Sequence, residues 1–338
     1  MSKALDKFYT KAETVRRLIR MIHLEDYDII IEPSAGDGAF CRQLPAQKTI
    51  AMDISPDTPP IIKQDFFDFD ICGAALNKKI LTIGNPPFGK NSSLAVKFFN
   101  HAATYSDTIA FVLPRTFRKN SISNRLDLNF HMTDEYILPK DSFYLPSGED
   151  YGVPTVIQIW KREATPRKKI KLLASHPDFI FLGSEDFQYS TVDLKFVTSP
   201  SYLGENNAYA YGVTTLEYES IKNLKKKFPK LFSNHRVVSA KKDIVWSTVP
   251  DFAFRRAGSR AGEIFTDYAS CPLEGFEFIK VLHPGVIDNF REMWKDTWDP
   301  VNLNRNAEKW DTAGQPSISR HELITSYIQK KASELKIL

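Results

Sequence analysis

Asn85-Pro86-Pro87-Phe88 brings together an amide, a rigid carbonyl and an aromatic face, the groups that methylation of a planar amine requires. An exocyclic amine conjugated with its ring is a poor nucleophile, because its lone pair is shared with the π-system. Two acceptors aimed at its hydrogens favour a pyramidal nitrogen and localise that pair. The Asn85 side-chain oxygen and the Pro86 carbonyl are such acceptors, and consecutive prolines fix the backbone φ angles that hold them. Phe88 offers a ring for stacking, worth about 1 to 3 kcal/mol per base in related settings. Displacement at an activated methyl donor then needs mainly alignment. No cysteine nucleophile is called for, and none of Cys41, Cys72 and Cys271 follows a proline in the manner that C5 methylation of cytosine needs. The plain alternative is a loop whose prolines only terminate a strand.

The segments before the tetrapeptide read as the frame of a nucleotide-type site. Tyr27 to Ile31 is a β-branched run that feeds into Glu32-Pro33-Ser34-Ala35-Gly36-Asp37-Gly38, which predicts a strand, a glycine turn and then a helix. Cys41 stands where a dinucleotide fingerprint has its third glycine, and there is no phosphate-loop motif, so a phosphate cradle is disfavoured. Thr49 to Met52 predicts a second strand that ends on Asp53, where an acid is placed to hold a ribose diol. Asp65-Phe66 pairs another acid with an aromatic, and Ile80 to Gly84 predicts a strand ending on Asn85. Acids at strand ends are also common caps. Thr10 and Glu13 fit a capping box for a helix from Ala12 to Ile22.

With these pieces in order, residues from Phe8 to about Trp160 resemble the class I S-adenosylmethionine-dependent methyltransferases. Within them, the resemblance is to the Asn-Pro-Pro-Phe/Tyr amino-methyltransferases, best known as adenine-N6 enzymes of DNA. The resemblance implies an α/β fold with a Rossmann-like seven-stranded sheet and helices on both faces. It implies S-adenosylmethionine as cofactor, with Glu32, Ser34 and Gly36 at its methionine end, Asp53 at the ribose, Asp65 and Phe66 at the adenine, and Ile54 among the cofactor-binding residues. Tyr9 and Thr10 match the N-terminal cofactor motif of the gamma arrangement, in which the catalytic domain comes first; Asn85 borders the same cofactor and begins the catalytic tetrapeptide. Further strands are expected at Thr108 to Leu113, Tyr136 to Leu138 and Val156 to Trp160. In this family the connecting hairpin often supplies a second aromatic against the target base, and Phe143 and Tyr144 are both candidates.

The remaining half reads as a reader of nucleic acid. Residues 1–150 carry 18 basic and 19 acidic side chains and the rest carry 27 and 22, so the net +4 charge originates in the second half. Phe252-Ala253-Phe254 leads to Arg255, Arg256 and Arg260 in a glycine-containing turn, which suits approach to a phosphate or a base edge and equally suits a structural turn. The polar, proline-containing segment 163–169 suggests a boundary, with a catalytic domain at 1–162 and a smaller mixed α/β target-recognition domain at 163–338. Ser319 is a candidate cap for a terminal helix. Trp294, Trp298 and Trp310 are expected to pack in a core or an interface. No signal sequence or spanning segment is visible, and neither the three cysteines nor the seven histidines show metal-ligand spacing. The expected partner is nucleic acid, DNA in preference to RNA, with no metal and no membrane, in a cytoplasmic protein that is nucleoid-associated if DNA is the substrate. RNA bases and, less favoured, a protein glutamine are alternative acceptors, and a catalytically dead fold used as a binding subunit is a third reading.

Overall fold

A computed structural model describes residues 8–71, 77–198, 210–217, 221–256, 264–283 and 317–335. The chain begins with β1 (Tyr9–Thr10), α1 (Ala12–Arg20), β2 (Ile29–Glu32), β3 (Thr49–Asp53), β4 (Ile62–Lys63) and β5 (Ile80–Gly84). It continues with α2 (Ser93–Ala102), β6 (Thr108–Pro114), α3 (Asn120–Ser123), β7 (Phe130–Ile137), β8 (Phe143–Tyr144), β9 (Asp150–Tyr151) and β10 (Thr155–Arg162). Seven of these strands form one sheet in the order β4-β3-β2-β5-β6-β10-β7. The pairs from β4 through β6 are parallel, whereas β10 runs antiparallel between β6 and β7.

Burial on both faces explains why the central strands read as unbroken apolar runs. In β6, Ile109, Phe111 and Leu113 point to the side where α2 packs through Ala95, Val96, Phe99 and Ala102. Ala110 and Val112 point to the side where α1 packs through Val15 and Leu18. Each layer of the core thus takes alternate residues of the same strand. β7 is longer than the expected Tyr136 to Leu138 because it is the edge strand. Its middle residues Thr133, Asp134 and Glu135 are exposed or polar, so its alternation is weak in sequence.

The helix expected after the glycine turn does not form. Residues 36–40 are turns that lead into a single 3-10 turn, Cys41–Gln43. Pro45 lies too close to allow a longer helix, since the residue before a proline is pushed to extended backbone, as Leu44 is at ψ 154°. Thr10 does not cap α1 either: the cap position falls on Lys11 and no side chain bonds there.

The residues divide into two compact units, Met1–Ala174 with Arg255–Glu263 and Arg291–Leu338, and Ser175–Phe254 with Ile264–Phe290. This differs from a simple division at 162/163. The basic segment after β10 is strapped to the first unit by Arg167, which donates to the carbonyls of Phe130 at 3.0 Å and Ser123 at 2.5 Å. Ile170 and Asn124 bond reciprocally at 2.9 and 2.7 Å.

The chain also returns to this unit through α6 (Arg320–Leu335), which buries Leu323, Ile324 and Tyr327. Its start is a capping box: the Ser319 hydroxyl accepts from the Glu322 amide at 3.3 Å, and Glu322 accepts from the Ser319 amide at 2.7 Å. Glu322 also pairs with Lys119 at 3.2 Å. Ser319→Ala is expected to cost about 1 kcal/mol of stability, read by urea denaturation; an unchanged midpoint would show that the cap does not hold the helix.

The second unit carries a four-stranded sheet of β11 (Phe179–Leu182), β15 (Phe252–Arg255), β16 (Ile264–Phe265) and β17 (Phe276–Val281). A three-stranded sheet joins β12 (Phe187–Thr198), β13 (Ala210–Glu217) and β14 (His235–Trp246), with short helices α4 (Ile221–Lys227) and α5 (Pro229–Asn234). Among the described residues no helix is long and apolar enough to cross a membrane. Trp294, Trp298 and Trp310 lie outside the described residues.

Candidate functional site

The parallel sheet changes direction at β2, which has β3 on one side and β5 on the other. Crevices beyond the carboxyl ends of strands at such a point are where open α/β sheets hold ligands. A cleft of about 330 Å³ opens there, within the size range of small-molecule sites. Tyr9, Thr10, Glu32, Ser34, Gly36, Asp53, Ile54, Asp65, Phe66 and Asn85 all line it, together with Pro86 and Pro87.

The loops that deliver these residues are tied to one another. Gly36 adopts φ +51°, which lets its backbone turn beneath the Tyr9 ring, and its amide donates to Asp53 Oδ2 at 2.8 Å. Asp53 Oδ1 accepts from the Ser55 amide at 2.8 Å. Ser34 Oγ donates to the Asn85 carbonyl at 3.0 Å, which joins the loop after β2 to the loop after β5. Asp65 accepts from the Phe67 amide at 2.9 Å, and the buried Phe66 ring stacks on Phe98 with centroids 5.0 Å apart.

Two groups in the cleft are buried without partners. Both carboxyl oxygens of Glu32, a residue 0% exposed, lack hydrogen bonds of normal geometry. Burial pushes this acid up to about 8, and the nearby Asp37 and Asp53 push the same way. The Cys41 amide pulls in the opposite direction from outside hydrogen-bond geometry. The second group is Asn85 Oδ1; the Nδ2 of the same amide donates to Thr10 Oγ1 at 3.1 Å.

Tyr9 and Tyr144 are register partners across β1 and β8. The Tyr9 hydroxyl donates to Asp57 and the Tyr144 hydroxyl to Asp37, each at 2.7 Å. Burial and the adjacent carboxylates raise both phenols, Tyr144 to about 12, so both remain donors at neutral pH.

Phe88 does not line the cleft; it packs edge-on against Phe8 at 5.4 Å. Of the two aromatics expected to face a base, Phe143 is 0% exposed, with its ring in the core beside Phe8 at 5.3 Å. It presents no face to a ligand, because its backbone pairs with Thr10 and its side chain points inward. Tyr144 is committed to Asp37. The aromatic that remains half-open beside Phe8 is Tyr151, 37% exposed, at 5.3 Å. Sequence reading passed over it because a two-residue strand in polar surroundings leaves no periodic signal. Asp37, within the expected cofactor motif, also lines the cleft, and Phe67, Leu94 and Phe98 line it unforeseen; the last two lie on the apolar face of α2, where a cleft wall and a core position look alike.

In β15, Phe252, Ala253 and Phe254 are all buried, so this is a core strand. Arg255 is half-buried, Arg256 is exposed, and Arg260 lies outside the described residues. Among the described residues no cluster of three or more metal-ligating side chains occurs.

A seven-stranded sheet with its last strand inserted antiparallel, and a cleft at the switch point bordered by the tetrapeptide, decides the fold. It is that of the class I methyltransferases. No protein-family model matches the chain. The chain is similar to ribosomal RNA small subunit methyltransferase A of Francisella tularensis subsp. tularensis (strain SCHU S4 / Schu 4), with 24% identity over 170 residues, 42% of this chain and 65% of that protein. The protein of the same name from Francisella tularensis subsp. novicida is 28% identical over 113 residues, 28% of this chain and 43% of its own. The chain thus spans less than two thirds of the length of these curated relatives.

Among solved structures, a putative RNA methyltransferase from Pyrococcus horikoshii aligns with TM-score 0.36 and 17% identity, over 47% of this chain and 88% of its own. A modification subunit of a putative type I restriction enzyme from Vibrio vulnificus aligns with TM-score 0.34 and 17% identity, over 72% of this chain and 56% of its own.

Proposed function

We propose that this protein transfers the methyl group of S-adenosylmethionine to the exocyclic N6 amine of adenine in nucleic acid, with DNA as the preferred polymer. The observation that carries the reading is Asn85 Oδ1, an acceptor buried without a partner at the edge of a methyltransferase-fold cleft. S-adenosylmethionine is the cofactor, with its methionine end toward Glu32, Ser34 and Gly36, its ribose at Asp53, its adenine at Asp65-Phe66, and Ile54 beside it in the cleft wall. Tyr9 and Thr10 close the same site from the N-terminal side, as in the gamma arrangement of Asn-Pro-Pro-Phe/Tyr enzymes. The amine donates its hydrogens to Asn85 Oδ1 and the Pro86 carbonyl, and Phe88 carries the base on its ring. An amine inside a duplex is out of reach, so the adenine is flipped out of the stack.

The polymer assignment is supported by the basic excess of the second half, which in this proposal is the target-recognition region, with Arg255, Arg256 and Arg260 at phosphates or base edges. RNA is the second reading, favoured by the ribosomal RNA methyltransferases to which part of the chain is similar in sequence. Purified protein incubated with labelled S-adenosylmethionine and, separately, duplex DNA, single-stranded DNA, total RNA and protein extract separates these. Label on N6-methyladenine in DNA is the expected result; label in RNA alone would transfer the assignment to the second reading, and label in none would leave a binding module.

Asp53→Ala is expected to weaken S-adenosylmethionine binding about 10-fold, the worth of one hydrogen bond to a charged group, measured by titration calorimetry. Unchanged affinity would restrict Asp53 to its hydrogen bonds with Gly36 and Ser55.

A further inference from the structure

The geometry points to Thr10 as the positioning residue that sets the Asn85 amide in its productive orientation, an inference that rests on the proposed amine methylation. An Asn amide has two faces of opposite character, an acceptor oxygen and a donor NH2, and a half-turn about its last bond exchanges them. Only the oxygen can accept the hydrogens of an incoming amine. With NH2 turned toward the substrate, Asn85 would oppose two donors with a third. The chemistry therefore depends on a contact that occupies the nitrogen and leaves the oxygen unpaired.

Thr10 makes that contact. Its Oγ1 accepts from Asn85 Nδ2 at 3.1 Å, while Asn85 Oδ1 is buried with no partner at all. The other anchor on this residue, Ser34 Oγ to the Asn85 carbonyl at 3.0 Å, fixes the backbone but does not distinguish the two amide faces. Thr10 is free for this task because it does not cap α1, where the cap position falls on Lys11 without a side-chain bond. It is itself held in place, 4% exposed, with its backbone paired to Phe143 across β1 and β8 and the next amide, Lys11, donating to the Ser142 carbonyl at 3.0 Å. The N-terminal strand thereby reaches the reacting end of the cleft as well as its cofactor end.

Thr10→Val preserves shape and removes the oxygen, and Thr10→Ser keeps the oxygen while removing a methyl. Each is measured for kcat at saturating nucleic acid and for S-adenosylmethionine affinity by calorimetry, alongside Asn85→Ala. The expected result is that Thr10→Val lowers kcat on the order of 10- to 100-fold, the scale of a reacting group misplaced by about an ångström. Because Thr10 also lines the cofactor cleft, some cofactor affinity is lost as well, but kcat at saturating cofactor still falls, and Thr10→Ser restores most of the rate. A Thr10→Val enzyme with normal kcat, or one whose loss lies in cofactor affinity alone, overturns the inference, as does a Thr10→Ser enzyme as slow as Thr10→Val. If Asn85→Ala remains active, the underlying reading fails with it; if Asn85→Ala is inactive while Thr10→Val is not, only the role of Thr10 fails.

Discussion

Asn85→Ala should lower kcat for methyl transfer on the order of 10²- to 10³-fold, the scale of losing one preorganised hydrogen-bonding group at a reacting centre. The side-chain oxygen is buried and has no partner within the protein, so an amine that reaches it displaces no hydrogen bond. Such an acceptor is already desolvated, so the cost of exposing it is met by folding and not at the moment of reaction. Pro86 and Pro87 remain, the Ser34 hydroxyl still reaches the backbone carbonyl of residue 85, and the walls formed by Glu32, Gly36, Asp53 and Asp65 are untouched. Cofactor affinity should therefore hold within about threefold while kcat collapses, the signature of a group that acts in the transition state. Single-turnover transfer from labelled S-adenosylmethionine, with calorimetry on the same preparation, checks both halves. Full activity in this variant would take the tetrapeptide out of the chemistry.

The cleft was legible because its lining sits at the ends of strands, where residue type and position are both fixed. Glu32, Asp53 and Asn85 each close an apolar run; the runs of β2 and β5 are visible without a structure because those strands are buried on both faces. What followed the first of these runs was less legible. Gly36 and Gly38 announced a turn, but the turn did not become a helix, because Pro45 limits the length available and no periodic pattern can report that. Gly89 takes φ +69°, and a Cβ there would lie 2.7 Å from Leu94 Cβ, so the loop that joins the tetrapeptide to α2 accepts no side chain at that point. The adjacent Asn91 and Ser92 are also left-handed, which sets the direction in which α2 leaves the site.

The aromatic hairpin shows a different limit. Phe143 and Tyr144 are neighbours in a strand, so one must face inward and the other outward. Composition gives them equal claims, and the choice is made by the pairing of Thr10 with Phe143, a contact between residues far apart in sequence. That pairing buries Phe143, commits Tyr144 to Asp37 and leaves Tyr151 as the open ring beside Phe8. The course of α6 was hidden for a related reason. Ser319 and Glu322 spell a helix start, yet nothing in them names the surface that the helix returns to, which Lys119 supplies from the loop after β6.

Glu32 carries the second large effect, and its sign distinguishes a ligand-binding acid from a structural one. The folded protein raises this acid from 4.5 to about 8, chiefly by burial. Below the lower value, folded and unfolded chains both hold the proton. Between the two values the unfolded chain releases it and the folded chain retains it, so stability falls as pH rises through the window and levels off above it. The slope approaches about 1.4 kcal/mol per pH unit. A neutral amide removes the titration, so Glu32→Gln should flatten the dependence of the melting temperature on pH between 5 and 9, as order-of-magnitude limits set by that window. It should also stabilise the cofactor-free protein near pH 8 by a few kcal/mol, less the roughly 1 to 3 kcal/mol cost of an amide buried without partners. Binding should move the other way. A cationic ammonium at the methionine end of the cofactor pairs with the carboxylate form, so the wild type gains affinity as pH rises through this range and Glu32→Gln loses both the gain and much of the affinity. A residue kept only for packing would show neither opposition. Melting curves across the pH range with and without S-adenosylmethionine separate the cases: if the variant keeps the wild-type slope, the titrating group is elsewhere, and if it melts higher yet binds as well as the wild type, Glu32 is no part of the cofactor site.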